Sequence, residues 1–145
     1  MHRGFANLER FLSRHDRFII STHESPDGDG LGAEIGFREI LAHMGRRAVI
    51  LNSDPVPDKF LFIDPEREIN VYSESIELPF PAEDCAVFVL DTNDFDNIGR
   101  LFELLKGRVR EVFIVDHHEG GKDKLESNFI KVEASSTCEI IYSLF

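Results

Sequence analysis

Short apolar runs alternate with amphipathic segments along the chain. Residues 5–15 carry apolar side chains at the three- and four-residue spacing of an amphipathic helix. The apolar runs at Arg17–Thr22, 48–51, 85–90 and 111–115 predict strands. The run at 85–90 contains no charged residue, as expected for a strand that is covered on both faces.

The segments between these runs complete an alternation of strands and helices. Residues 23–30 predict a turn-rich loop, 31–43 and 98–105 helices, Asp58–Ile63 a helical turn, 69–72 a short strand and 129–132 an edge strand. Ser135 or Ser136 is the expected N-cap of a last helix, with Glu139 completing a capping box. The alternation predicts an α/β fold with a mostly parallel sheet of about five strands and helices on both faces.

Polar residues follow three of the predicted strands directly. His23 comes after the first strand, Asp91 after the run at 85–90, and Asp116 after the run at 111–115. The carboxyl ends of parallel strands share one edge of the sheet, where ligands bind in such folds. We therefore expect these three side chains to lie at the same edge.

The first polar cluster combines imidazole and carboxylate groups. His23, Asp27 and Asp29 lie within the segment His-Glu-Ser-Pro-Asp-Gly-Asp. A calcium loop would need further oxygen ligands at alternate positions, where Leu31 and Ala33 stand. Imidazole favours manganese, iron or zinc, so the cluster indicates a transition-metal site. A solvated Asp-Gly turn is the alternative interpretation.

The other two clusters support the same chemistry. Asp91 is either a turn residue or a carboxylate that bridges two ions about 3.5–4 Å apart. In Asp116-His117-His118, one histidine can bind metal while the other meets a substrate, and the alternative is a polar surface segment before Glu119. Together the three clusters predict a two-metal site for the hydrolysis of phosphate esters.

Composition narrows the classes of partner. The 145-residue chain has 16 basic and 27 acidic residues, a formal charge of −11, which argues against general affinity for long nucleic acid. No apolar stretch is long enough for a membrane span, and the N-terminus lacks the apolar core of a secretion signal. Cys85 and Cys138 show no metal-ligand spacing and fit a reducing cytoplasm, which is the expected location.

Four segments, in order, resemble motifs of one known family. The segments 23–32 (HESPDGDGLG), 90–92 (LDT) and 116–118 (DHH) resemble motifs I, II and III of the DHH phosphoesterase superfamily, and 134–140 (ASSTCEI) resembles its following helix start. The nearest branch is the bacterial nano-RNase and phosphoadenosine-phosphate phosphatase branch. Family II pyrophosphatases, exopolyphosphatases and RecJ-type exonucleases are more distant. The resemblance implies a Rossmann-like DHH domain over residues 1–145.

The resemblance also implies roles for individual residues, with two manganese ions as the cofactor and Mg²⁺ or another divalent ion as the alternative. It places His23 and Asp27 on one ion, Asp29 and His117 on the other, Asp91 between the ions, His118 on the scissile phosphate, Asp116 behind the histidines, and Ser136 and Thr137 near the substrate phosphate. The implied substrates are short oligonucleotides, dinucleotides or nucleotide phosphates.

Two departures from the family pattern leave alternatives open. The Arg-x-Gly of the family's second motif is replaced here by Asn97-Ile98-Gly99-Arg100. A further Asp-Thr-Gly motif and a smaller substrate-binding domain, which follow in the family, are expected to be missing, so this piece alone is expected to turn over little. The alternatives are a non-catalytic metal- or nucleotide-binding module and a pyrophosphatase- or exopolyphosphatase-type hydrolase. A homodimer is compatible with the sequence.

Overall fold

Six parallel strands form one sheet at the centre of the molecule. The structure is a computed structural model that describes residues 1–121 and 127–145. The strands are β1 (Arg17–Thr22), β2 (Arg47–Asn52), β3 (Ile69–Val71), β4 (Ala86–Leu90), β5 (Val112–Asp116) and β6 (Phe129–Ile130). Their order across the sheet is β3-β2-β1-β4-β5-β6, with every neighbouring pair parallel. The predicted α/β class is confirmed, with one strand more than the approximate number expected.

Helices cover both faces of this sheet. They are α1 (Arg3–Arg14), α2 (Gly28–His43), α3 (Arg100–Leu105) and α4 (Thr137–Tyr142), with 3-10 segments at Asp58–Ile63, Ala82–Asp84 and Phe95–Ile98. The buried side chains of α1, α2 and α4 share one core cluster, and those of α3 belong to the cluster on the opposite face. None of the helices in the described ranges has the length and apolar content needed to cross a bilayer.

Phenyl rings fill the larger of the two cores. The ring centroid of Phe88, on the central strand β4, lies 4.6 Å from that of Phe37 and 5.1 Å from those of Phe11 and Phe18. The Phe113 ring on β5 is 5.7 Å away. Successive residues of a strand point to opposite faces of the sheet. Phe18 and Phe88 therefore face this core, while Ile19, Val87 and Val89 face the smaller core on the other side.

Two element boundaries differ from the predicted ones. Helix α2 begins at Gly28, inside the predicted loop, because the carboxylate of Asp27 caps it by accepting a 2.9 Å hydrogen bond from the N–H of Gly30. The predicted helix at 98–105 is interrupted at Gly99, whose φ of +73° ends the preceding 3-10 turn. A β-carbon at Gly99 would lie 2.7 Å from the side chain of Glu24, so this position requires glycine.

A buried acid lies beneath the carboxyl end of β1. Glu34 of α2 is fully buried and accepts a 2.9 Å hydrogen bond from Asn52 Nδ2. The amide oxygen of Asn52 in turn accepts from the backbone N–H of Thr22 at 3.1 Å and from the Ser21 hydroxyl at 3.2 Å. Burial raises the pKa of Glu34 well above its usual value. The residues that precede His23 are therefore anchored through Asn52 to a buried carboxyl group inside the fold.

Replacing Phe88 by Ala should remove the central ring of the phenyl core. We expect the free energy of unfolding to fall by about 3–5 kcal/mol, because the surrounding rings cannot close the cavity. Urea denaturation measures this change. The matched control is Phe62→Ala, since that side chain is 77% exposed and its loss should cost less than about 0.5 kcal/mol. Equal losses in the two variants would contradict the assignment of the core.

Replacing Glu34 by Gln should alter how stability depends on pH. The folded pKa of Glu34 lies above its ordinary value of 4.5, so its stabilising contribution is full below that pH and is lost as the pH rises. Glutamine keeps an acceptor for Asn52 and does not titrate. We expect the variant to gain stability relative to wild type as the pH rises from about 4.5 to neutral pH. Urea denaturation at both ends of this interval measures the change, and Glu39→Gln is the control because Glu39 is exposed. A stability difference between Glu34→Gln and wild type that does not depend on pH would contradict the raised pKa of Glu34.

Candidate metal centre

The site lies where the connections of the sheet change direction. The chain adds β2 and then β3 on one side of β1. It then crosses to the other side of β1 and adds β4, β5 and β6. In open parallel sheets such a switch point leaves a crevice at the carboxyl ends of the strands. His23 follows β1, Asp91 follows β4, and Asp116 ends β5, so the expected convergence at one edge is present.

Asp91 stands at the centre of the cluster. Its Oδ2 lies 3.4 Å from Nε2 of His23, and its Oδ1 lies 3.6 Å from Nε2 of His117. The residue is only 2% exposed and has a φ of +65°, in the left-handed region that non-glycine residues rarely adopt. Such strained residues cluster at functional sites, where the surrounding structure holds them in place.

Two more carboxylates flank this centre. Oδ2 of Asp27 lies 3.7 Å from Nε2 of His23, and Oδ2 of Asp29 lies 3.5 Å from Nε2 of His117. A His–Asp pair therefore stands on each side of Asp91, in the pairing that the family resemblance implies. The structure brings the five predicted metal residues together, and their role as ligands stays a prediction.

Asp116 and His118 form a second pair at the edge of the cluster. Nδ1 of His118 lies 2.7 Å from Oδ1 of the fully buried Asp116. Oδ2 of Asp116 has no hydrogen-bond partner among residues 1–121 and 127–145. The side chain of His118 is 53% exposed, so it reaches solvent beside the buried carboxylates. One ligand atom from each of Asp91, Asp116, His117 and His118 fits within a group no wider than 4.8 Å.

The start of α4 holds two of these carboxylates. The backbone N–H groups of Thr137 and Cys138 donate to the two oxygens of Asp29 at 2.9 and 2.8 Å. The Thr137 hydroxyl donates to Oδ1 of Asp91 at 2.9 Å. Thr137 is fully buried and its hydroxyl orients the Asp91 carboxylate, while its expected position near a substrate phosphate stays a prediction. Ser136 is the N-cap, accepting from the N–H of Glu139 at 3.0 Å, and its contact with phosphate stays a prediction.

Sequence reasoning missed these partners of Asp29 and Asp91. The capping pattern at Ser136 located the start of α4, but no local signal connects Thr137 to carboxylates elsewhere in the chain. It also missed Asn93, whose side-chain amide donates to the carbonyl of His118 at 3.2 Å and steadies the loop after β5. Arg100, the arginine of the altered second motif, lies against the ring of Tyr72, with its guanidinium carbon 5.4 Å from the centroid.

Burial and mutual hydrogen bonds shift the pKa values of the groups in this cluster. Burial raises the pKa of Asp91 to about 6, and the hydrogen bond to Asp91 raises the pKa of His23 to about 9. Burial opposes ionisation of Asp29 as well, but hydrogen bonds from Asp91 and from the N–H groups of α4 outweigh it and lower the pKa of Asp29.

No lysine or arginine pairs with these acids within the described parts of the chain. The carboxylates of Asp27, Asp29 and Asp91 have only histidines as ionic partners there. A buried carboxylate whose charge is only partly offset by its neighbours is costly. Oxygen and imidazole donors suit Mn²⁺ and related divalent ions, so the residues fit the metal that the sequence predicts.

Fold and site together define the class of the protein. It is an α/β protein with an Asp/His cluster of metal-binding type at the switch point of a parallel sheet. The sequence pattern described as "DHH family, N-terminal domain" matches residues 17–145. The chain therefore belongs to the DHH family, whose members depend on metal ions.

Several characterised proteins resemble the chain over most of its length. A cyclic-di-AMP phosphodiesterase, GdpP, of Geobacillus thermodenitrificans is 24% identical over 94% of this chain and 22% of its own length. The bifunctional oligoribonuclease and PAP phosphatase NrnA of Mycoplasma genitalium is 32% identical over 92% of this chain and 40% of its own length. The chain thus spans less than half of either relative.

A solved structure has the same fold. The crystal structure of an exopolyphosphatase-related protein from Bacteroides fragilis superposes with a TM-score of 0.83 at 23% identity. The match covers 97% of this chain and 43% of the other. The comparison supports the strand order and helix placement described above.

Replacing Thr137 by Val should weaken metal binding while leaving the packing intact. Valine fills the same buried space but removes the hydrogen bond to Asp91. Loss of a group that orients a ligand typically costs 10–100-fold in metal affinity, and we expect about tenfold here. Calorimetric titration with Mn²⁺ measures it. Thr137→Ser restores the hydroxyl and should bind close to wild type; unchanged affinity in the valine variant would rule out the orienting role.

Proposed function

We propose that this domain carries the catalytic site of a metal-dependent phosphoesterase that acts on small nucleotide substrates. The observation that carries the proposal is the position of Asp91, within 3.6 Å of both His23 and His117 and between two His–Asp pairs. Phosphate ester hydrolysis is the activity named for the two relatives, a cyclic-di-AMP phosphodiesterase and an oligoribonuclease with PAP phosphatase activity. The expected substrates are short oligonucleotides, dinucleotides or nucleotide phosphates.

The residues divide into two sets around the shared carboxylate. His23 and Asp27 would hold one divalent ion, Asp29 and His117 the other, and Asp91 would contact both. Two such ions lower the pKa of a water molecule and neutralise charge on the phosphoryl oxygens when they are bound. Manganese is the ion implied by the resemblance, with magnesium as the alternative.

His118 is suited to contact the substrate. Its Nδ1 is held at 2.7 Å by Asp116, which leaves Nε2 as the ring nitrogen that is free to meet a phosphoryl oxygen. The buried carboxylate of Asp116 fixes the orientation of the ring. Because the side chain is half exposed, a ligand in the crevice can reach it.

Charge supports small substrates over long strands. With a net charge of −11, the chain repels the extended phosphate backbone of a long nucleic acid, whereas a short substrate needs only the local field of the metal centre. Location in the cytoplasm and assembly as a homodimer remain predictions.

Replacing Asp91 by Asn should impair both binding and hydrolysis, because it removes the charge that the two sides of the centre share. We expect Mn²⁺ affinity to fall at least tenfold and Mn²⁺-dependent release of phosphate from 3′-phosphoadenosine 5′-phosphate, or cleavage of a dinucleotide, to fall about 100-fold or more. Calorimetry and a phosphate-release assay measure the two effects.

Asp84→Asn is the matched control. Asp91 follows the carboxyl end of β4, whereas Asp84 lies just before its amino end. Asp84→Asn therefore removes the same charge at the opposite edge of the sheet. It should behave like wild type. Because this piece alone is expected to turn over little, cleavage is followed over long incubations at high protein concentration. Wild-type protein that binds Mn²⁺ and still cleaves no nucleotide under these conditions would favour the non-catalytic module. Turnover of pyrophosphate or polyphosphate alone would favour the inorganic hydrolase alternative.

A further inference from the structure

A cavity opens directly beside the metal centre. Its volume is about 640 Å³, and its walls include Asp27, Asp54, Pro55, Pro57, Lys59 and Phe60. Asp27 belongs to both places, since its carboxylate also lies 3.7 Å from Nε2 of His23. Asp27 therefore connects the metal centre with this cavity.

The ring of Phe60 borders the loop that carries the predicted ligands. Gly28 stands between Asp27 and Asp29, and a β-carbon there would lie 3.3 Å from Cε1 of Phe60. The edge of the ring thus faces the backbone of the loop, with no side chain between them. Phe60 is half-buried and packs against the core, so its position is set by the fold.

One cation lies over this ring. Nζ of Lys59 is 5.0 Å from the ring centroid, within the range of a cation–π contact. Lys59 is exposed, and a planar ligand can displace its flexible ammonium group from the ring.

We propose that Phe60 is the stacking surface for the nucleobase of a nucleotide whose phosphate occupies the metal centre. The inference rests on the proposed function and adds to it the subsite that distinguishes nucleotides from inorganic phosphates. Every base presents a flat π face, so a single phenyl ring supports stacking without selecting one base. Pro55 and Pro57 give the cavity a second apolar surface with restricted backbone freedom.

The composition of the cavity disfavours an inorganic polyphosphate as its occupant. Asp27 and Asp54 contribute two carboxylates to the walls, and Lys59 is the one basic residue among the lining residues. A chain of phosphates would need several cations along its path, whereas a neutral base needs an apolar surface. The walls of the cavity supply an apolar surface and only one basic side chain.

The test compares two ligands that differ only in the base. Adenosine 5′-monophosphate and ribose 5-phosphate are titrated calorimetrically into the full chain at saturating Mn²⁺. Stacking of one base on an aromatic side chain leads us to expect the wild type to bind the nucleotide about tenfold more tightly. Phe60→Leu, which retains apolar packing, should reduce this preference to about twofold or less while the affinity for ribose 5-phosphate is unchanged.

Phe62→Ala is the control, because Phe62 lies on the same 3-10 segment and its side chain is 77% exposed. It should keep the preference. Equal binding of both ligands by the wild type, or an equal loss for both in Phe60→Leu, would overturn the stacking subsite and leave the phosphoesterase proposal intact. If Mn²⁺ binds but neither phosphate compound does, the proposed function and the subsite both fail.

Discussion

The parallel pairing of β4 between β1 and β5 is the constraint on which the site depends. Residues Phe18–Thr22 of β1 align with 86–90 of β4, and β4 aligns with β5 from Val87 to Leu90. This register brings the ends of three strands, far apart in the chain, to one edge. It is maintained by the phenyl core around Phe88, so the packing that stabilises the sheet also sets the distance between the histidines and Asp91.

Charge at this edge is concentrated in a way that the folded chain alone does not balance. Asp91 is buried between two histidines in a left-handed backbone conformation, and Asp116 has an oxygen without a partner in the described part of the chain. Hydrogen bonds from the start of α4 offset part of this cost by holding Asp29 and Asp91. A divalent cation would offset the remaining cost of burying these carboxylates. The acids that are unfavourable in the fold are therefore the groups best suited to bind a metal ion for phosphate chemistry.

The site and its surroundings have different chemical character. The candidate metal centre is acidic, so it would bind a phosphate group only through bound cations. The neighbouring cavity is lined by the ring of Phe60 and two prolines. Such a division into a charged reaction centre and an apolar recognition surface is common in small-molecule sites. It supports the proposal that the substrates contain both a phosphate and a base.

The sequence by itself determined the alternation of strands and helices, the edge at which His23, Asp91 and Asp116 meet, and the family. The first two follow from apolar periodicity and from the position of polar residues at strand ends, which are local properties, and the family follows from the resemblance of the segments at 23–32, 90–92, 116–118 and 134–140 to its motifs. Only the tertiary structure decided that Thr137 orients Asp91, that Gly28 already belongs to α2, and that Phe60 lies against the metal loop. Thr137 and Asp91 are 46 positions apart, and no local pattern encodes which distant side chain packing brings within hydrogen-bonding distance.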